Sequence, residues 1–294
     1  RNPTAYLPVG GLEWHGPALP FGTDALLPYG LAQATAERVG GVVFPPLLYG
    51  DPRHLLQECR VEWRAEYGRE MGLPAALPGA FPLQDLDGNP AYATPAQADD
   101  GPAPTEWLPF EIEAQMKFFR LVVAQTLLTV HLYGFEQCWV LPGHGPLPRL
   151  CTQAGSIYAQ NVRRRTALGK PMAVETWFWL YAAQEALPEL REASLHADRT
   201  ELSLLLHLWP GLAEPGALPP EGPAPAYLQH PFVGTGGARN PQYALMDQTF
   251  AALDPRQASA DQGRDLTALL VGDLARRGTA GAHSTPPLNN AHSH

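Results

Sequence analysis

Residues 5–44 read AYLPVGGLEWHGPALPFGTDALLPYGLAQATAERVGGVVF, and the order of their patterns decides the fold class. The run AYLPV is short and apolar, which is typical of a buried strand. Residues 25–40 carry apolar side chains at helical spacing, with Pro28 close to the start and a glycine at the end. Residues 41–50 (GVVFPPLLYG) form a second strand-like run closed by proline and glycine. A strand, a helix and a strand in this order predict a parallel sheet.

The same alternation continues along the chain and predicts a single α/β domain with a mostly parallel β-sheet flanked by helices. Helical patterns occupy residues 110–135, 151–169 and 258–278, and strand-like runs occupy residues 137–145 and 171–180.

We place this domain at residues 1–280, because 294 residues fit one α/β domain with long loops. A Pro/Gly-rich stretch at about 55–110 has the composition of an insertion or lid rather than of a second core. The tail at 281–294 lacks apolar periodicity and is predicted to be disordered.

The composition narrows the classes of partner. The net charge is -9 and the 20 Lys and Arg residues are scattered, so we expect no nucleic-acid partner. No window approaches the roughly 18 apolar residues of a membrane helix. The three cysteines, Cys59, Cys138 and Cys151, lack the spacing of a thiolate zinc site or a disulfide framework. We therefore expect a reducing compartment, the cytoplasm.

Three segments combine imidazole and carboxylate side chains with positions where loops leave the predicted sheet. In open α/β sheets, ligands bind beyond the carboxyl ends of the strands. Two imidazoles and three carboxylates suffice for a pair of divalent metal sites that share one carboxylate, without any thiolate. The candidate residues are Glu13, His15 and Asp24 in the first segment, His144 in the second, and His196 and Glu201 in the third.

The spacing in the first segment supports this hypothesis. On an extended backbone, residues two apart point the same way, so Glu13 and His15 face one cavity while Trp14 faces the other side. The glycine and proline that follow redirect the chain, and Asp24, just before the next helix, returns to the same cavity. The glycines on both sides of His144 let the backbone approach the metals closely.

Each candidate also has a structural interpretation. A short Glu-x-His motif is commonly a pair of surface residues without a functional role, and His144 between two glycines is compatible with a plain turn. Glu201 is placed to interact with a helix dipole, and His196 is placed to act as a helix cap.

Other aromatic residues have similar alternatives. Trp177 and Trp179 fit sheet packing better than substrate stacking, and His54 fits either a pocket lining or the surface. We interpret the remaining internal histidines as structural: His131, His207 and His230.

Four segments together resemble the creatininase (creatinine amidohydrolase) family. LPVGGLEWHGPALPFGTDAL resembles the family pattern Gly-Ser-x-Glu-Gln-His-Gly-Pro-His-Leu-Pro-x-x-Thr-Asp. GFEQCWVLPGHG is similar to its Gly-Phe strand ending in Asn-Gly-His-Gly, HADRTELSLLLHLWP to its His-Ala-Gly-x-x-Glu-Thr-Ser segment, and LDPRQASADQGRDL to its C-terminal Gly-Asp-Pro segment. The resemblance spans most of the chain outside residues 55–110.

The resemblance implies an α/β fold and a two-metal site that hydrolyses a carbon–nitrogen bond of a cyclic or related amide. It implies that Asp24 bridges two divalent ions (zinc, manganese or iron). Glu201 takes the place of the family carboxylate whose position falls here on Pro146, which cannot coordinate a metal. The implied ligands are Glu13 and His144 for one ion and His15 for the other, with Asp24 as the bridge and Glu201 as the last ligand.

The implied chemistry assigns roles to the surrounding residues. Two cations about 3.5–4 Å apart would activate a shared water. We assign His196 as the proton donor or as a hydrogen-bond partner of the substrate, oriented by Asp198. Trp14, His54 and Asp198 would line the pocket of a small-molecule amide. The resemblance also implies a ring-shaped homo-oligomer, often a hexamer.

The sequence departs from the family pattern around the implied ligands. These departures are Trp14 for Gln, Ala18 for His, Pro142 for Asn, Asp198 for Gly and Arg199 for an acid. Because neighbouring groups orient ligands and shape the pocket, the resemblance specifies the reaction class rather than creatinine as substrate. The alternative is a diverged, catalytically weak member that serves as a metal-binding or scaffolding subunit.

Overall fold

The structure is a computed structural model that describes residues 4–12, 15, 18–49, 83–84, 90–91, 112–145, 147–187, 190, 197–218 and 254–280. Four predicted site residues lie outside the described residues: Glu13, Trp14, His54 and His196. Most of the 55–110 insertion, all of the 281–294 tail and His230 also lie outside them.

Helices and strands alternate along the described chain. Short 3₁₀ turns occur at Thr166–Leu168, Pro210–Leu212, Pro215–Ala217 and Pro255–Gln257. In chain order the longer elements are β1 (Thr4–Val9), α1 (Thr23–Val39), β2 (Val42–Val43), β3 (Leu83–Gln84), β4 (Pro90–Ala91), α2 (Ile112–Leu132), β5 (Gln137–Pro142), α3 (Leu147–Arg163), β6 (Ala173–Thr176), α4 (Trp179–Ala186), α5 (Arg199–Leu208) and α6 (Ala260–Ala280).

The main sheet has four parallel strands in the order β2-β1-β5-β6. Strands β1 and β5 are paired from Thr4 opposite Gln137 to Val9 opposite Pro142, so both end at the same edge of the sheet. Strands β3 and β4 form a separate antiparallel pair. The predicted α/β fold with a parallel sheet is confirmed.

Helices cover both faces of the sheet, because the side chains of each strand alternate between two hydrophobic clusters. Tyr6 of β1 and Trp139 of β5 belong to the cluster formed with α1, α4, α5 and α6. Leu7 and Val140, the next residues along the same strands, belong to the cluster formed with α2 and α3. Burial on both faces explains why β1 is apolar at nearly every position.

Two predicted strands are shorter than expected. In the run 171–180 the strand ends at Thr176, and Trp179 begins α4. An apolar run alone does not separate a buried strand from a buried helix, which is the reason for this error. In 41–50 only Val42–Val43 is a strand, and Leu47 adds an isolated bridge to Val9.

The two tryptophans of this run are core residues. Trp177 and Trp179 are buried in the same hydrophobic cluster, and the Trp177 indole Nε1 donates a hydrogen bond to Asp273 of α6 at 2.9 Å. Their positions agree with the packing interpretation.

Two helices start earlier than predicted. Helix α3 begins at Leu147 and tolerates Pro148, because the first turn of a helix needs no donor there. Helix α1 begins at Thr23, so Pro28 lies inside it rather than at its start. Proline has no N–H to donate to the carbonyl of Asp24, four residues earlier.

The described helices include none with the length and hydropathy needed to cross a membrane. Cys138 and Cys151 are both buried and free. Burial raises the pKa of the Cys138 thiol to about 12, so this thiol stays protonated at neutral pH.

His131 forms part of a hydrogen-bond network that ties α2 to α3 and to the start of β6. Its Nδ1 accepts a hydrogen bond from the Tyr158 hydroxyl at 2.7 Å, and its Nε2 donates to the carbonyl of Leu168 at 3.0 Å. The Tyr158 oxygen accepts the backbone N–H of Met172 at 2.8 Å. These contacts support a structural role for His131.

We expect Tyr158→Phe to lower the free energy of unfolding by about 1–2 kcal/mol, because the hydroxyl is replaced by hydrogen while its two partners stay in place. Urea denaturation measures this change. Tyr133→Phe, at an exposed tyrosine, is the control and should stay within about 0.5 kcal/mol of wild type. Equal stabilities of the two variants would contradict the structural role of the network.

Candidate metal centre

Asp24 is the second residue of α1 and lies in its first turn. We predicted it just before the helix. Thr23 fixes this turn because its Oγ1 donates to the carbonyl of Pro20 at 2.6 Å. The free N–H groups of a helix N-terminus stabilise a nearby carboxylate. Asp24 is nevertheless buried, so its charge needs partners from other segments.

The two central strands bring those partners together. Because β1 and β5 end opposite each other, the segments that follow them start from the same edge of the sheet. The Gly143 N–H donates to the carbonyl of Val9 at 2.8 Å, which ties the two segments together. His15 follows β1, and His144 follows β5.

Glycines bring the backbone of both segments into direct contact with α1. A Cβ on Gly143 would lie 1.7 Å from the carbonyl oxygen of Asp24, and a Cβ on Gly10 would lie 2.4 Å from the nitrogen of Ala25. By contrast, a Cβ on Gly145 would meet no atom within 4 Å. The close approach that we predicted at the glycines around His144 therefore occurs at Gly143, and it is made to the helix backbone.

Four of the five predicted ligands lie together in this buried region. His15 Nε2 is 3.2 Å from Asp24 Oδ1, and His144 Nδ1 is 3.1 Å from Asp24 Oδ2. Glu201 Oε2, from α5, is 3.7 Å from His15 Nε2. Ligand atoms of His15, Asp24 and Glu201 all lie within 4.8 Å of one another, so these residues could hold a metal ion.

The ionisation of Asp24 depends on the two imidazoles. Burial is the largest single influence and acts to raise the pKa of this carboxyl, but His15 and His144 together outweigh it and lower the pKa. The two imidazoles, one beside each carboxylate oxygen of Asp24, therefore favour its ionised form.

Glu201 shows the opposite balance. Its pKa is raised to about 8, because burial, together with the nearby Asp198 and Asp24, outweighs the lowering effects of His15 and of the Ala197 N–H. The centre thus holds more carboxylate than the surrounding protein can keep ionised near neutral pH. A divalent cation would relieve this excess of negative charge.

The donor set also fits a divalent metal. Imidazole nitrogens and carboxylate oxygens are ligands for zinc, manganese and iron. Glu13, the fifth predicted ligand, lies outside the described residues, so its place in the centre stays a prediction, as do the ligand roles of the other four.

Asp198 has a local role that we did not predict. Its Oδ1 accepts the N–H groups of Thr200 at 2.8 Å and Glu201 at 3.1 Å, which makes it the N-cap of α5. Burial raises the pKa of its carboxyl to about 7. The pattern Asp-x-x-Glu at 198–201 is a capping-box signature and could have revealed this role.

The fold and the centre together define a class of protein. It is an α/β protein whose parallel sheet carries a buried carboxylate–imidazole centre at the carboxyl ends of two adjacent strands.

Comparison with known proteins agrees with this class. A family model described as "Creatininase: Creatinine amidohydrolase" matches residues 1–61 and 84–277. The chain belongs to the creatininase family.

A curated relative matches over a short segment. The creatinine amidohydrolase of Pseudomonas putida is 48% identical over 44 residues, which cover 15% of this chain and 17% of that protein.

Solved structures resemble the whole described fold at low sequence identity. A crystal structure of creatinine amidohydrolase (creatininase) has a TM-score of 0.56 at 18% identity, and the match covers 97% of this chain and 91% of that protein. A mutant creatininase complexed with creatine has a TM-score of 0.56 at 18% identity, and the match covers 95% of this chain and 91% of that protein. Two further structures, a mutant creatininase of Zn-Zn type and a creatininase described with Mn, each have a TM-score of 0.54 at 18% identity. Each match covers 93% of this chain and 88% of that protein. These likenesses establish the fold.

Proposed function

We propose that this chain is a metal-dependent amidohydrolase that cleaves a carbon–nitrogen bond of a small cyclic amide or a related amide. The observation that carries the proposal is the placement of Asp24, whose two carboxylate oxygens face two different histidines inside the protein. Membership of the creatininase family supports the reaction class.

We assign Asp24 as the bridge between two divalent cations. His15 would bind on the Oδ1 side, 3.2 Å from that oxygen, and Glu201 would join it, since ligand atoms of His15, Asp24 and Glu201 all lie within 4.8 Å of one another. His144 would bind on the Oδ2 side together with Glu13. Zinc and manganese are our first candidates because structures of family members are described with them; iron also fits the donor set.

Cations held in such a pair supply Lewis acidity to a carbonyl group and make a water molecule more acidic. Hydrolysis would place a water-derived hydroxyl on the amide carbon, break the carbon–nitrogen bond and leave the nitrogen to take up one proton. We assign His196 as the donor of this proton, because an imidazole titrates near neutral pH. His196 directly precedes Ala197, which is buried and donates its N–H to Glu201.

We assign Trp14, His54 and Asp198 to the substrate pocket. Asp198 Oδ2 is buried and has no hydrogen-bond partner among the described residues, which supports a polar contact with His196 or with the substrate. A small amide is the substrate class we favour, since one structurally similar creatininase is described as complexed with creatine.

We further propose that the chain forms a homo-oligomer, a hexamer being the form implied by its family. The structure offers a surface that suits such assembly. On α2 several large apolar side chains are exposed, namely Phe118, Leu121, Val122 and Leu132.

Metal content and amide hydrolysis test the proposed function together. After incubation with zinc or manganese and removal of excess ion, mass spectrometry should count about two ions per chain. The loaded protein should open creatinine or a related cyclic amide. A protein that binds no metal and hydrolyses no amide would contradict the proposal and favour the scaffolding alternative.

Glu201→Gln tests the individual ligand. We expect this variant to lose about one of the two ions, because the neutral amide is a poorer ligand than the carboxylate. Glu185→Gln, at an exposed glutamate on α4, is the matched control and should retain both ions. If Glu201→Gln retains full metal content and changes only the thermal midpoint, the helix-dipole interpretation of Glu201 is correct.

A further inference from the structure

The N-terminal turn of α5 contains a second contact besides its helix cap. Asp198 Oδ1 accepts the N–H groups of Thr200 and Glu201, as an N-cap does in many helices. Glu201 Oε2 in turn accepts the backbone N–H of Ala197 at 2.6 Å. The side chain of Glu201 therefore folds back over the start of its own helix.

This arrangement differs from an ordinary capping box by one residue. In an ordinary box the third helical residue bonds the N–H of the N-cap residue itself. Here Glu201 is the third helical residue and reaches past the N-cap, Asp198, to Ala197. The oxygen that accepts this bond is also the oxygen 3.7 Å from His15 Nε2.

The backbone of Ala197 is set for this contact. Its φ of 54° makes it the one non-glycine residue in the left-handed region within the described part of the chain. Such a conformation is unfavourable for an alanine, and it persists where the surroundings determine it. Ala197 is fully buried beside Glu201.

We propose that Ala197 and Asp198 are positioning residues for Glu201. Asp198 fixes the first turn of α5, the fixed turn directs the Ala197 N–H to Glu201, and this bond holds the carboxylate toward His15 and Asp24. The inference rests on the proposed function in one respect, namely that Glu201 binds a cation. It assigns a role to an aspartate that stands where the family pattern has glycine.

Asp198→Ala and Asp198→Asn separate this role from simple capping. Alanine removes the cap, whereas the asparagine side-chain oxygen caps as well as aspartate does. We expect Asp198→Ala to weaken zinc binding at the affected site about tenfold or more, in the range found for groups that orient metal ligands. Asp198→Asn should restore the affinity to within about threefold of wild type on the same basis. Isothermal titration of the metal-free full chain with zinc measures both.

Tyr158→Phe supplies the stability control. It removes a buried hydrogen bond in a network on the other face of the sheet, so it should lower the thermal midpoint and leave zinc affinity unchanged. If Asp198→Ala binds zinc as tightly as wild type while its thermal midpoint falls, Asp198 is only a helix cap and the inference is overturned.

A second readout does not depend on metal. Hydrogen exchange of the Ala197 amide in metal-free protein should be slow in wild type, faster in Asp198→Ala and slow again in Asp198→Asn. Unchanged protection in Asp198→Ala would also overturn the inference. If wild type binds no zinc, the proposed function fails, and the exchange measurement alone decides the positioning role.

Discussion

Asp24→Asn is expected to remove both divalent ions from the protein and, with them, amide hydrolysis. The substitution keeps the size and shape of the side chain but removes the negative charge that lies between His15 and His144. Each cation would then lose a shared anionic ligand in a buried site, where charges need partners. Because even groups that only orient ligands change metal affinity 10–100-fold, we expect a loss of at least about a hundredfold for each ion.

Mass spectrometry and zinc titration of the purified variant measure this loss. Asp261→Asn makes the same chemical change at an exposed position on α6 and should retain wild-type metal content. The pattern of loss is informative, because a bridging ligand affects both ions while a terminal ligand affects one. Retention of one tightly bound ion in Asp24→Asn would contradict the bridging role, and retention of two would contradict any ligand role.

Gly143→Ala is expected to destabilise the protein by about 3 kcal/mol or more, at the upper end of the effects of overpacking a core. The added Cβ would lie 1.7 Å from the Asp24 carbonyl oxygen and 3.0 Å from Pro28 Cδ. Neither is a flexible side-chain end, so the backbone after β5 must move. That movement would break the hydrogen bond from the Gly143 N–H to Val9 and displace His144.

Urea denaturation of metal-free protein measures the destabilisation. Gly145→Ala is the matched control, since it lies two residues later and its Cβ would meet no atom within 4 Å. We expect that variant to stay within about 0.5 kcal/mol of wild type. Similar stabilities of the two variants would show that the backbone after β5 does not rest on α1.

The two predictions test different properties of one centre. Asp24→Asn changes its charge while the packing stays the same, so metal content should fall much more than stability. Gly143→Ala changes the packing while all ligands remain, so stability should fall first and metal affinity should follow it. Together they separate a failure of chemistry from a failure of folding.

Low sequence identity to the solved creatininases is compatible with the retained fold. At 18% identity most side chains differ, yet the structural match covers more than nine-tenths of this chain. A parallel sheet covered on both faces needs apolar residues at its strand positions rather than particular ones. A ligand-binding centre tolerates fewer changes, because its polar contacts depend on individual residues.

The sequence by itself determined the class of fold and most of the candidate ligands. The periodicity of residues 5–44 is a local property, and it predicts strand, helix and strand without knowledge of the rest of the chain. His15 and Asp24 were predicted as ligands from the order of residues in one loop, and His144 from its position after a strand. The parallel sheet confirms the predicted fold class, and the structure brings His15, Asp24 and His144 together, while their ligand roles stay a prediction.

Only the tertiary structure decided how that centre is assembled. The contact of Gly143 with Asp24 and the approach of Glu201 to His15 each depend on packing between segments far apart in the chain. Burial and the distances between such segments set the pKa values of Asp24 and Glu201. A sequence pattern specifies which side chains are available, whereas their packing determines which of them share a buried site and a charge.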